Sequence, residues 1–158
     1  MNNSVLRDEL FSLLESRNAH LTFQQAVADF PLDKMNSKVS SIPYSAWELI
    51  EHMRICQYDI LDFIQNPDYK EPKWPDEYWP SKGKKADQKI WQQTVDQFRQ
   101  DLESIQKIIR KHHEDLTAPL DYAPQYTLIR EILLVADHNA YHLGQLLALK
   151  RALGAYND

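Results

Sequence analysis

The chain has little cysteine and little glycine. Its 158 residues include one cysteine, Cys56, and three glycines. A single cysteine excludes an internal disulfide and any multi-cysteine zinc site. It also fits a reducing compartment, so a cytoplasmic protein is expected. Scarce glycine argues against all-β folds, whose turns consume it, and tilts the reading toward helices. Long hydrophobic runs are missing too. No stretch approaches the ~18 apolar residues needed to span a bilayer. The opening MNNSVLRDELFSLLESRN carries acids and no long apolar run, so neither a signal peptide nor an anchor is expected. Positive charge is in short supply: the formal net charge is -5. Lys82, Lys84 and Lys85 form the only local basic cluster, in a loop beside Gly83. Broad phosphate binding is therefore not expected, and nucleic acid is not an expected partner.

What is present is ordinary for a globular protein: 43% hydrophobic and 26% charged residues. The length fits one domain, residues 1–158, large enough to fold without a staple. Leu6, Leu10, Leu13 and Leu14 predict a first helix over 4–17. Thr22 and Gln25 form a capping-box pattern that starts a short second piece ending near Pro31, followed by a linker over 32–44. Ser45 and Glu48 cap the next long helix, whose apolar positions are Leu49, Met53, Cys56, Ile60 and Phe63. Asn66-Pro67 stops it. A proline-rich loop over 67–83 carries Trp74, Tyr78 and Trp79, aromatics expected to pack across one end of the fold. Trp91, Val95, Phe98, Leu102, Ile105 and Ile109 mark a long helix over 87–113. After a second loop, Thr127 caps a last helix that runs to Leu153, with Gly154 as its left-handed terminator. No strand is expected. The leading architecture is an all-α four-helix bundle.

His138 and His142 lie four residues apart, which places both imidazoles on one helix face about 6 Å apart along the axis. Helical metal sites use this bite. Chance supplies such pairs often in a chain with six histidines, so the spacing alone is weak. Its setting adds weight, because Leu128, Val135, His138, His142 and Leu149 share one apolar stripe. Two buried neutral imidazoles each need a donor and an acceptor satisfied, and an unsatisfied one costs about 1–3 kcal/mol. Asn139 follows His138, so the glutamate of an HExxH zinc protease is absent. His52, inside a helix beside its apolar stripe, is the best third ligand. His20, His112 and His113 fall at a helix break or helix end, where solvated or capping roles are expected. Three imidazoles leave coordination positions open, the pattern of a reactive metal site.

The stretch Trp47-Glu48-Leu49-Ile50-Glu51-His52 and the run Asp137-His138-Asn139-Ala140-Tyr141-His142-Leu143-Gly144-Gln145 resemble the DinB-like superfamily, which includes the YfiT-type metal-dependent hydrolases. The loop Trp74-Pro75-Asp76-Glu77-Tyr78-Trp79-Pro80 and the closing Lys150-Arg151-Ala152-Leu153-Gly154 fit it as well. The resemblance runs from Leu6 to Gly154. It implies a four-helix bundle of up-down-down-up topology, often a homodimer. It implies a three-histidine site carried onto His52, His138 and His142, with zinc, nickel or another divalent ion. It further implies a small-molecule substrate and, in members with assigned chemistry, a low-molecular-weight thiol such as bacillithiol, mycothiol or glutathione. Many members have no demonstrated activity.

Cys56 is four residues beyond His52 and can be a thiolate ligand or nucleophile; a small buried core residue is the stronger reading. Glu48 can orient His52, although its capping role already accounts for it. Asp137, Tyr141 and Gln145 are candidate partners of the ligands or proton donors, and Gly144 fits close helix packing. Two functions remain open: a metal-dependent hydrolase or thiol-dependent transferase, and a non-catalytic, stress-related metal-binding bundle.

Overall fold

The structure is a computed structural model that describes residues 3–15, 19–111 and 115–156. Among these the chain is mostly helical, with five α-helices and one small two-stranded sheet. The expected first helix is α1 (Asn3–Glu15); its expected end, Arg17, lies outside the described residues. The short piece is α2 (Phe23–Ala28). Its capping box is complete: Gln25 N–H donates to Thr22 Oγ1 at 3.2 Å and Thr22 N–H donates to Gln25 Oε1 at 3.0 Å. Both bonds satisfy amides that the first helical turn leaves without partners. The linker that follows holds one 3-10 turn, Leu32–Lys34.

Helix α3 (Ala46–Gln65) begins with a second capping box, between Ser45 and Glu48. It ends at Asn66, whose extended backbone precedes Pro67. Helix α4 (Gln88–Arg110) is capped by the Asp87 carboxylate on the Ile90 amide at 2.8 Å. It is shorter than the sequence predicts. Lys111 already has an extended backbone, with ψ 94°, and His112 and His113 lie outside the described residues. The apolar stripe ends at Ile109, so further turns would bury little. Between α4 and α5 the sequence predicts a plain loop, but β1 (Pro119–Leu120) and β2 (Ala123–Thr127) pair antiparallel. Strands this short, each holding a proline, carry no readable alternation.

Helix α5 (Leu128–Ala152) starts at the expected Thr127 cap. At its other end Gly154, at φ 61°, turns the chain left-handed. The Gly154 and Ala155 amides then reach the carbonyls of Arg151 and Lys150, closing a Schellman motif.

The core forms two apolar clusters. One joins Trp47, Leu49 and Ile50 at the start of α3, Trp91 and Val95 at the start of α4, and Leu143, Leu146 and Leu149 at the end of α5. The other joins Ile60, Leu61 and Ile64 at the end of α3, Ile105, Ile108 and Ile109 at the end of α4, and Leu128, Ile132 and Val135 at the start of α5. Leu10 brings α1 onto the second cluster, and Ala26 and Val27 bring α2 onto the first. The histidines sit on α3 and α5 between these two centres. No described helix is long and apolar enough to cross a membrane.

Candidate metal centre

His52 lies in the middle of α3, buried to 3% exposure, and His142 lies on α5 at 8%. His138, one turn earlier on α5, is half-buried. The three expected residues meet. One ring nitrogen from each falls within 4.8 Å of the others. The His138 and His142 rings are 4.4 Å apart between centroids, and His52 lies 4.7 Å from His142 and 5.3 Å from His138.

Hydrogen bonds at the back of two rings fix which nitrogen faces the centre. His52 Nδ1–H donates to the Tyr78 carbonyl oxygen at 2.7 Å. His142 Nδ1–H donates to Gln145 Oε1 at 2.7 Å. A neutral imidazole carries one N–H, so both Nε2 atoms present lone pairs. These Nε2 atoms are 3.2 Å apart. Two acceptors held that close repel unless a positive charge lies between them. A proton is disfavoured there: burial holds all three rings below the ordinary histidine value, and His138 is brought to about 4 by burial and then by His142 and His52. A divalent ion fits instead. Zinc bound to nitrogen at about 2.0–2.1 Å in tetrahedral geometry separates its ligands by about 3.3–3.4 Å.

The surrounding residues settle several sequence expectations. Gln145 does support His142. Tyr141 is 64% exposed and meets the His142 ring edge-on at 4.9 Å, while Asp137 points to solvent. Glu48 is committed elsewhere: it caps Ser45 and pairs with Lys38 at 2.8 Å. Cys56 is buried, with Sγ 3.5 Å from His52 Nδ1. Burial pushes its thiol up to about 12, so it stays protonated and packs as a core residue. The tryptophan loop divides. Trp79 stacks on His52 at 4.0 Å and 4° between planes, and Tyr44 stacks behind it at 5.5 Å. Tyr78 is buried, but Trp74 is 66% exposed, so not every aromatic of the loop packs across the fold as expected.

Two supporting contacts were not anticipated from the sequence. One is the Tyr78 carbonyl, a backbone atom that any residue supplies. The other is Gln57, 1% exposed. Its Nε2 donates to the Phe98 carbonyl at 2.7 Å and its Oε1 accepts from Asn139 Nδ2 at 2.8 Å. This side chain ties α3, α4 and α5 together beside His138. Its place at the centre of an apolar helix face was the available clue, since a buried amide must find partners.

A family model described as the DinB superfamily matches residues 17–146, most of the chain. No curated protein and no solved structure matches it.

Proposed function

The chain belongs to the DinB superfamily, and from that premise we propose that it binds one divalent metal ion, zinc or nickel, through His52, His138 and His142. The observation that carries this reading is the pair of buried Nε2 lone pairs at 3.2 Å, with a third imidazole beside them. Tyr78 and Gln145 hold two of the rings in the tautomer that presents Nε2, as partners of metal-binding histidines do. Trp79 covers one flank of the cluster, and His138 is its least buried member.

We further propose a four-helix bundle of up-down-down-up topology within one domain over residues 1–158. The shared core clusters support it: α3 and α4 begin in the same cluster, and α5 ends there. A homodimer and a cytoplasmic setting complete this reading. The free, buried Cys56 is in keeping with a reducing compartment.

For activity, we propose metal-dependent hydrolysis or thiol-dependent group transfer on a small molecule. When bound, the ion acts as a Lewis acid that lowers the pKa of a water or of a low-molecular-weight thiol. The chain's own residues orient the His52 and His142 imidazoles and exclude water from the His52 flank. A non-catalytic metal-binding role is supported by the groups around the cluster: burial pushes the Cys56 thiol up, Glu48 is committed to Ser45 and Lys38, and Asp137 is exposed.

Metal analysis of protein purified without chelator should give about one ion per chain, and His142→Ala should lose it. Full occupancy in that variant would overturn the ligand set. The loaded protein is then screened with thiols and electrophiles. Turnover abolished by His142→Ala supports the enzyme; metal-dependent stability with no turnover supports the binding protein.

A further inference from the structure

Asp59 lies two turns beyond His52 on α3, so ligand, thiol and carboxylate (His52, Cys56, Asp59) follow one another along one helix face. Its two oxygens are both used by the tryptophan loop. Tyr69 donates its hydroxyl to Asp59 Oδ1 at 2.7 Å, and Tyr78 donates its hydroxyl to Asp59 Oδ2 at 3.0 Å. Burial, and then the carboxylate itself, holds both phenols above their ordinary range, so both remain donors. Tyr78 therefore bridges two points on α3. Its side chain grips Asp59, and its backbone carbonyl accepts from His52 Nδ1. The next residue, Trp79, lies flat on the same imidazole.

We propose that Asp59 is a positioning residue for the metal centre, a latch that holds Tyr78 so that its carbonyl fixes the tautomer and direction of His52. The inference rests on the metal-binding reading for its purpose, but its geometry is independent of any ion. Helix α3 places His52 but leaves its ring free to choose which nitrogen carries the proton. A carbonyl accepts and never donates, so its presence at Nδ1 selects the Nδ1–H form and leaves Nε2 for the cluster. That carbonyl belongs to a 22-residue connection between α3 and α4. A connection that long needs an anchor to hold one backbone atom to within tenths of an ångström, and the Tyr78 hydroxyl on Asp59 supplies it next to the atom that matters. Tyr69 anchors the beginning of the loop and does not touch the histidine.

The test uses Tyr78→Phe, Asp59→Ala and Tyr69→Phe, each checked for native helicity by circular dichroism. In the metal-free protein at pH 8, nitrogen NMR should show His52 as the single Nδ1–H tautomer. Tyr78→Phe and Asp59→Ala should give a mixture, and Tyr69→Phe should not. Cobalt(II) titration should show affinity weakened about tenfold in Tyr78→Phe and Asp59→Ala, with altered visible bands. Unchanged tautomer and cobalt spectrum in those two variants, or equal effects from Tyr69→Phe, would overturn the latch. If wild-type protein fails to bind cobalt while the tautomer behaves as described, the metal reading fails and the latch stands.

Discussion

Replacing Gln57 with alanine tests whether the buried amide joins three helices or merely fills space. Gln57 is 1% exposed. Truncation leaves Asn139 Nδ2 without its acceptor and takes from the Phe98 carbonyl its second donor, the first being the helical amide of α4. An unsatisfied buried polar group costs about 1–3 kcal/mol. Asn139 is half-buried, and its Oδ1 already has no partner, so water relieves only part of its loss. The void left by the removed atoms adds to the cost. Together these give a destabilisation of about 2–4 kcal/mol, which for a chain of this size lowers the melting temperature by about 10 °C. Urea unfolding followed by circular dichroism measures it. Gln57→Glu sharpens the test. It keeps an acceptor for Asn139 but points a carboxylate oxygen at the Phe98 carbonyl unless the acid is protonated. Its folded pKa is then raised above the unfolded value, so the stability supplied by the protonated form is present at low pH and lost as pH rises through that folded value. A cost below about 1 kcal/mol for Gln57→Ala, with no pH dependence in Gln57→Glu, would refute the account of this amide.

Two further outcomes follow from the burial of groups around the cluster. In metal-free protein the histidines are held below their ordinary value, so the unfolded chain takes up protons first and stability falls as pH drops from about 6.5 toward about 4. His138 accounts for about 2 kcal/mol of that loss, allowing for solvent at its half-buried ring. His138→Gln should reduce the loss of stability between about pH 6.5 and about pH 4 by this amount, and an identical loss would contradict the assignment. The Cys56 thiol, pushed up to about 12, should react with a disulfide reagent at pH 8 about a thousandfold more slowly in the native protein than in urea. Native reaction within about tenfold of the unfolded rate would place Cys56 in a more open, polar setting than its burial indicates.

The sequence by itself determined the helices, their starts, and the ends of α3 and α5. Thr22-Gln25, Ser45-Glu48, Thr127 and Gly154 are local signals: each acts on backbone groups within one turn, so its effect is complete before any tertiary contact forms. The apolar stripes were legible for the same reason, since helical period alone decides which residues share a face. The pairing of His138 with His142 was local too, and Gln145 one turn on was within reach of inspection. The meeting of His52 with that pair was not local. It depends on how α3 lies against α5, which the packing of Trp47, Ile50, Leu143 and Leu146 decides. Only the tertiary structure showed that Cys56 is kept protonated by its surroundings, that Gln57 closes a polar bridge through the core, and that a backbone carbonyl chooses the His52 tautomer. Burial and backbone direction are properties of the packed chain, and no residue type encodes them in place.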